Sequence, residues 1–92
     1  MDPTVEQKYN NFRDRIISHN KLDSTYELAF KATSVQTFLT ALDQYKETEP
    51  NDLLEIICKT FSVNLDDYEK EEIQIFKRYI EYFKKVNKKI SQ

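Results

Sequence analysis

The chain has 92 residues, a formal net charge of −2, no glycine and two prolines. A chain of this length forms one domain with a small core. Without glycine, the tight hairpin turns of a multi-stranded sheet become costly, because they need positive φ angles. The composition therefore predicts an all-α protein, and a net charge so close to zero excludes no class of partner.

The first two helices are predicted from the spacing of apolar residues. Four of them recur three or four positions apart near the start of the chain: Val5, Tyr9, Phe12 and Ile16. This spacing predicts a helix over about 4–19. A longer stripe follows Ser24, which is a suitable N-cap: Leu28, Ala32, Val35, Leu39 and Leu42. It predicts one helix over about 24–46, although the polar "ATS" at 32–34 leaves its continuity open.

Two further helices complete the chain. Pro50 opens a third helix over about 50–61, whose apolar residues surround most of its circumference and predict burial, including that of Cys58. Asn64 is the predicted N-cap of a long final helix over about 65–90, with aromatic and aliphatic residues on one half and bases on the other. The prediction is a single helical domain over residues 1–92, an antiparallel four-helix bundle whose C-terminal helix projects beyond the first.

Charge is distributed unevenly over the second half of the chain. Residues 47–72 carry nine acids and two bases, whereas 73–92 carry six bases and one acid. This order stabilises a helix dipole, so it does not by itself establish a function. The same polarity also steers partners. Seven residues of the last helix are therefore candidates for partner binding: Glu72, Arg78, Tyr82, Lys84, Lys85, Lys88 and Lys89.

Glu72 stands out because it falls within the apolar half of the last helix. A buried carboxylate without a partner is costly. Three alternatives stay open: an ion pair with a base on a neighbouring helix, hydration near the helix start, or a bound partner's cation.

Nothing in the sequence indicates catalysis or a cofactor. His19 is the only histidine, and Cys58 lies in an apolar run, so no nucleophile is paired with a base. The acids at 66–72 lack the alternating ligands and the glycine of a calcium loop. We therefore expect a protein that is not an enzyme, with no cofactor, no metal and no small-molecule substrate.

The expected partner is another protein. The aromatics of the last helix lie on its core-facing half rather than among the lysines, which argues against nucleic acid. Contact with an anionic membrane surface stays open, because the helix is basic and amphipathic. The start "MDPTVEQKYNN" shows no secretory signal and no apolar run reaches membrane-span length, so we expect a cytoplasmic location. Monomer and homodimer both stay open.

One stretch carries a family resemblance: "DLLEIICKTFSVNLDDYEKEEI", from Asp52 to Ile73. A short apolar helix, a polar joint and the start of a long final helix resemble the pediocin-like bacteriocin immunity proteins of Gram-positive bacteria. Those proteins are small cytoplasmic antiparallel four-helix bundles. The resemblance implies protection of a producer cell against its own pore-forming peptide at the sugar-permease receptor in the membrane.

The resemblance also places specificity in the C-terminal part, here 82–92, although the sequence stops at Gln92 without the further tail that such proteins usually carry. The rival expectation is a small helical adaptor or regulator, viral or plasmid-encoded, that binds a soluble protein.

Overall fold

The computed structural model describes residues 3–19 and 22–90, except for the side chains of His19, Lys89 and Ile90. Within these residues the chain is all-helical and has no strand, which confirms the all-α prediction. Five α-helices follow one another: α1 (Pro3–His19), α2 (Ser24–Ala32), α3 (Val35–Leu42), α4 (Pro50–Thr60) and α5 (Lys70–Ile90). Short 3₁₀ turns follow α3 (Asp43–Tyr45) and precede α5 (Leu65–Asp67).

Helices α1 and α5 lie against each other along most of α1. Their contacts run in order through the pairs Lys8–Tyr82, Phe12–Tyr79 and Arg15–Glu72. Because residue numbers rise in α1 as they fall in α5, these two helices run in opposite directions. This pairing decides which side chains of α1 can meet the polar residues of α5.

The core is an aromatic cluster centred on Phe12, whose side chain has no exposed surface. Its ring centroid lies 5.7 Å from that of Phe83, 6.1 Å from that of Phe76 and 6.2 Å from that of Phe38. Helices α1, α3 and α5 therefore converge on one ring. Each aromatic pair contributes about 0.5–1.5 kcal/mol beyond the area that it buries. The apolar stripe predicted for α1 is confirmed, because all four of its members are buried: Val5, Tyr9, Phe12 and Ile16.

The single helix predicted over 24–46 is wrong, because the chain breaks at Thr33 and Ser34. Thr33 has a ψ angle of 114°, outside the helical region. The Ser34 hydroxyl accepts a hydrogen bond from the N–H of Thr37 at 3.1 Å and caps α3. From α1, the hydroxyl of Tyr9 donates to the Thr33 carbonyl at 2.7 Å. These hydroxyls satisfy backbone groups that a break leaves open, so local polar chemistry overrides the apolar spacing.

The break also changes which residues of α2 are buried. Leu28 was expected in the core, yet it is 68% exposed, whereas Phe30 is buried. Phe30 stacks on Phe61 with ring centroids 4.2 Å apart and an angle of 9° between the planes. The helix is capped by Asp23, whose carboxylate accepts from a backbone N–H at 2.8 Å, and not by Ser24. A stacked pair at the end of α4 therefore fixes the rotation of α2.

Helix α5 begins at Lys70 instead of residue 65. The Asn64 side chain accepts from the N–H of Asp66 at 3.0 Å and caps the short 3₁₀ turn, not α5. Tyr68 then adopts an extended conformation, and its hydroxyl donates to the Ile16 carbonyl at 2.7 Å. This contact with α1 interrupts a segment that local propensity favours as helix.

Helix α4 ends with a turn that requires a positive φ angle. The N–H of Val63 donates to the Cys58 carbonyl at 2.7 Å, and the N–H of Ser62 donates to the Lys59 carbonyl at 3.2 Å. This is a Schellman motif, in which the residue after the cap is usually glycine. In a chain without glycine, Ser62 takes that place with a φ angle of 55°.

Candidate functional site

The outer face of α5 carries exposed polar side chains along its length. They recur at helical spacing: Glu71, Gln74, Arg78, Glu81, Lys85 and Lys88. The opposite face carries Phe76, Ile80 and Phe83, which have no exposed surface. Along the outer face the cations lie toward the C-terminal end of the helix, as the sequence predicts.

Arg78 and Tyr82 line a cleft between α1 and α5, which we call the α1–α5 cleft. It has a volume of about 250 Å³ and five lining residues: Lys8, Ile75, Arg78, Tyr79 and Tyr82. The two cations are exposed, whereas Ile75 and the two tyrosines are half-buried. Among the residues that the structure describes, no carboxylate lines the cleft. In the part of the chain that the structure describes, neither Lys8 nor Arg78 forms an ion pair.

Lys8 reaches this cleft because its neighbour Tyr9 fixes the rotation of α1. The Tyr9 ring lies 5.0 Å from that of Phe38 and 6.3 Å from that of Phe83, centroid to centroid. The Nζ atom of Lys8 then lies 5.2 Å from the centroid of the Tyr82 ring. That distance is within the range of about 6 Å over which a cation is attracted to an aromatic face.

Lys84, Lys85 and Lys88 line a second cleft on the other side of α5, which we call the lysine cleft. Its volume is about 580 Å³, and its other lining residues are Asp43, Lys46, Glu47 and Asn87. The Nζ atom of Lys46 lies 3.3 Å from a carboxylate oxygen of Asp43. The lysine cleft is therefore mixed in charge, unlike the α1–α5 cleft.

The C-terminal half of α5 is packed against the segment that follows α3. The ammonium group of Lys84 donates to the carbonyl of Thr48, and Asn87 is only 9% exposed. The expectation that this helix end projects beyond its neighbours is therefore wrong as far as Asn87. Lys88 is exposed. Lys89 was also predicted to bind the partner, and its side chain lies outside the described residues.

Glu72 pairs with Arg15 of α1. The Nε and Nη2 groups of Arg15 donate to the two carboxylate oxygens, the second at 3.0 Å. The hydrogen bond to Glu72 raises the pKa of Arg15 above its ordinary value, against the opposing effect of burial. Of the three alternatives left open by the sequence, the structure shows the ion pair with a base on a neighbouring helix. Because the chain's own arginine holds this carboxylate, we leave Glu72 out of the docking surface proposed below.

Acidic residues surround the start of α5. A third cleft there is lined by Asp67, Tyr68, Glu69, Glu71 and Glu72. Among the described residues, no group of three or more His, Cys, Asp or Glu side chains is arranged to hold a metal ion. These acids lie near the positive end of the helix dipole, where they stabilise α5.

Two buried groups have raised pKa values. Burial raises the pKa of the Tyr9 phenol to about 12, although the charge of Arg13 acts to lower it. Burial, together with the charge of Glu55, raises the pKa of the Cys58 thiol to about 12. Because the thiolate is the reactive form of cysteine, Cys58 is unreactive near neutral pH. The prediction of a buried thiol is confirmed.

The structure divides the predicted partner-binding residues among three places. The described ones lie in the α1–α5 cleft (Arg78, Tyr82), in the lysine cleft (Lys84, Lys85, Lys88) and in the ion pair of Glu72. Sequence reasoning missed Lys8, which belongs to the first cleft. No sequence pattern within residues 4–19 identifies Lys8 as a binding residue. Only the antiparallel pairing of α1 with α5 brings Lys8 opposite Tyr82.

Comparison of the chain with known protein families, with curated proteins and with solved structures finds no match. No helix within the described residues combines the length and the apolar character that crossing a bilayer requires.

Proposed function

We propose that this chain is a non-catalytic binding protein that docks an acidic surface of another protein on the exposed face of α5 between Arg78 and Lys88. One observation carries the proposal. Arg78, Lys85 and Lys88 are exposed on one helix face, with one acid, Glu81, among them, and within the described residues none of the three cations forms an ion pair. Exposed cations of this kind accelerate association with a negatively charged surface and set its orientation.

The sizes and linings of the two clefts favour a protein over a small molecule. The α1–α5 cleft, at about 250 Å³, is smaller than the roughly 300–1,000 Å³ of ordinary ligand sites. The lysine cleft is larger, but the described residues that line it are all charged or polar.

The resemblance of Asp52–Ile73 to the pediocin-like immunity proteins gives the proposal a specific form. In that form the protein acts in the cytoplasm and protects its cell at a membrane receptor complex. The position of the exposed cations supports it, because the resemblance implies specificity in the C-terminal part. The antiparallel pair α1 and α5 supports the corresponding architecture, a four-helix bundle in which α2 and α3 together take the place of one helix.

Cross-linked affinity capture from the cell that encodes the protein tests the proposal. The site variant is Lys85→Glu/Lys88→Glu, and the matched control is Lys59→Glu/Lys70→Glu, which reverses two exposed charges elsewhere. Lys84 is left unchanged because it donates to the Thr48 carbonyl. We expect the wild type and the control to capture the same protein and the site variant to lose it. Equal capture by all three would refute the proposed docking surface.

The identity of the captured protein separates the two forms of the proposal. A membrane permease supports the immunity form, whereas a soluble protein makes the chain an adaptor or regulator. A killing assay gives an independent test: expression should protect a sensitive strain from one pore-forming peptide of a panel. Unchanged killing across the panel would remove the immunity form.

A further inference from the structure

We infer that the α1–α5 cleft binds an apolar side chain flanked by carboxylates, within an acidic segment of the partner protein. The inference rests on the proposed function and names the chemistry that this part of the docking surface recognises. It also adds a residue of α1, Lys8, to a surface otherwise formed by α5.

The charge of the cleft selects carboxylates. Lys8 and Arg78 approach it from two different helices, and its lining includes no acid from the described residues 3–19 and 22–90. The lysine cleft, by contrast, contains Asp43 and Glu47 beside its lysines. An acidic segment that crosses the α1–α5 cleft would thus meet a cation on each side. The planar guanidinium of Arg78 can also bind a carboxylate through two parallel hydrogen bonds.

The lining of the cleft selects an apolar residue between those carboxylates. Ile75, Tyr79 and Tyr82 are half-buried and contribute aliphatic and ring surface to the lining beside the two cations. A volume of about 250 Å³ accommodates one large side chain and is too small for a drug-sized ligand. A single apolar residue with acidic neighbours fits both the size and the charge.

Neighbouring groups hold the two tyrosine rings, so the cleft has room for one apolar side chain but offers no row of open ring faces for successive bases. Lys8 lies over the ring of Tyr82, and an edge contact with Phe83 at 5.4 Å holds the same ring. The ring of Tyr79 contacts those of Phe12, at 5.6 Å, and Phe83, at 6.3 Å. Recognition of single-stranded nucleic acid relies on open aromatic faces on which successive bases stack. The engaged rings therefore favour a peptide.

An NMR titration of ¹⁵N-labelled protein tests the inference. The probe is a blocked pentapeptide with phenylalanine between two glutamates on either side. Two control peptides replace the phenylalanine with alanine or the glutamates with lysines, and a short oligothymidylate tests nucleic acid. We expect the probe to shift the amide signals of Lys8, Ile75, Arg78 and Tyr82, and each control peptide to bind about tenfold more weakly or not at all.

Protein variants separate the cleft from the rest of the surface. Lys8→Glu and Arg78→Glu should each weaken binding of the probe about tenfold, while Lys59→Glu, an exposed lysine on α4, should leave it unchanged. The inference is overturned if millimolar probe causes no shifts, if the shifts lie elsewhere, if the alanine peptide binds equally well, or if oligothymidylate binds at the cleft more tightly than the probe.

Failure of the inference is distinguishable from failure of the proposed function. Lys8→Glu leaves Lys85 and Lys88 intact. If the site variant loses the captured partner while Lys8→Glu affects neither capture nor probe binding, the docking surface stands and the inference fails. If capture does not depend on Lys85 and Lys88, the proposed function fails whatever the probe does.

Discussion

Replacing Tyr9 with phenylalanine removes one hydroxyl and keeps the ring in the core. That hydroxyl donates to the Thr33 carbonyl at 2.7 Å, at the break between α2 and α3. The substitution leaves this partly buried carbonyl without its donor, so we expect the free energy of unfolding to fall by about 1–2 kcal/mol near neutral pH. Urea unfolding, monitored by circular dichroism, measures the difference in free energy of unfolding between the wild type and the variant.

The same substitution should change the pH dependence of stability. Burial raises the pKa of Tyr9 from 10.0 to about 12. Because the pKa of Tyr9 is higher in the folded state than in the unfolded state, the stabilisation by its neutral phenol is complete below pH 10. This stabilisation is lost as the pH rises from 10 toward 12. At about pH 11 the wild type should have lost about 1.4 kcal/mol relative to the variant.

All other groups titrate in both the wild type and the variant. The difference between their free energies of unfolding therefore reports the titration of Tyr9 alone. The advantage of the wild type should therefore shrink, or reverse sign, between neutral pH and about pH 11. A difference that stays constant over this range would refute the burial of the phenol. A loss below about 0.5 kcal/mol at neutral pH would refute the hydrogen bond to Thr33.

Three further predictions concern the fold. Phe76→Ala should lower the free energy of unfolding by about 3–5 kcal/mol, because the ring has no exposed surface; a urea-measured change under about 1 kcal/mol would mean that the faces of α5 are assigned wrongly. Ser62→Gly should raise the melting temperature and stabilise the protein by about 0.5–1 kcal/mol, since serine holds a φ angle of 55° there; a lower melting temperature would contradict the turn. Cys58 should react with a thiol reagent near neutral pH only when the protein unfolds, and labelling as fast as in urea would contradict its raised pKa of about 12.

The sequence predicts best the helices that bury one apolar face and expose the other. In α1 and α5 the apolar residues follow a helical period, and the residues assigned to the core, such as Phe12 and Phe83, have no exposed surface. The short α4 is predicted instead from the proline at its start and from apolar residues around most of its circumference. Its bounds, Pro50–Thr60, differ from the prediction by one residue.

The failures occur where side-chain hydrogen bonds, local at Ser34 and long-range from Tyr9 and Tyr68, interrupt a helix that apolar spacing alone favours. The stripe that includes Leu28 has helical spacing, but the hydroxyls of Thr33, Ser34 and Tyr9 favour a break. At the start of α5, the hydrogen bond of Tyr68 to α1 interrupts a helix whose local sequence is favourable. The acceptors of the two tyrosine hydroxyls are the Thr33 and Ile16 carbonyls. They lie far along the chain, so residues close to Tyr9 or Tyr68 do not identify them.

The candidate site shows the same division. Arg78, Lys85 and Lys88 lie on one exposed face, and helical spacing is sufficient to group them. The contribution of Lys8 depends on the direction and register of α1 against α5, which no local pattern specifies.

The most direct test of the account is the affinity of the captured partner for three proteins: the wild type, Lys85→Glu/Lys88→Glu and Lys59→Glu/Lys70→Glu. Measured by titration calorimetry at low salt, binding by the first variant should be at least about tenfold weaker than wild type, and binding by the second should be unchanged. Raising the ionic strength should reduce the difference, because salt screens exposed charges. Equal affinity for the two variants would contradict the assignment of the docking surface to the exposed face of α5 between Arg78 and Lys88.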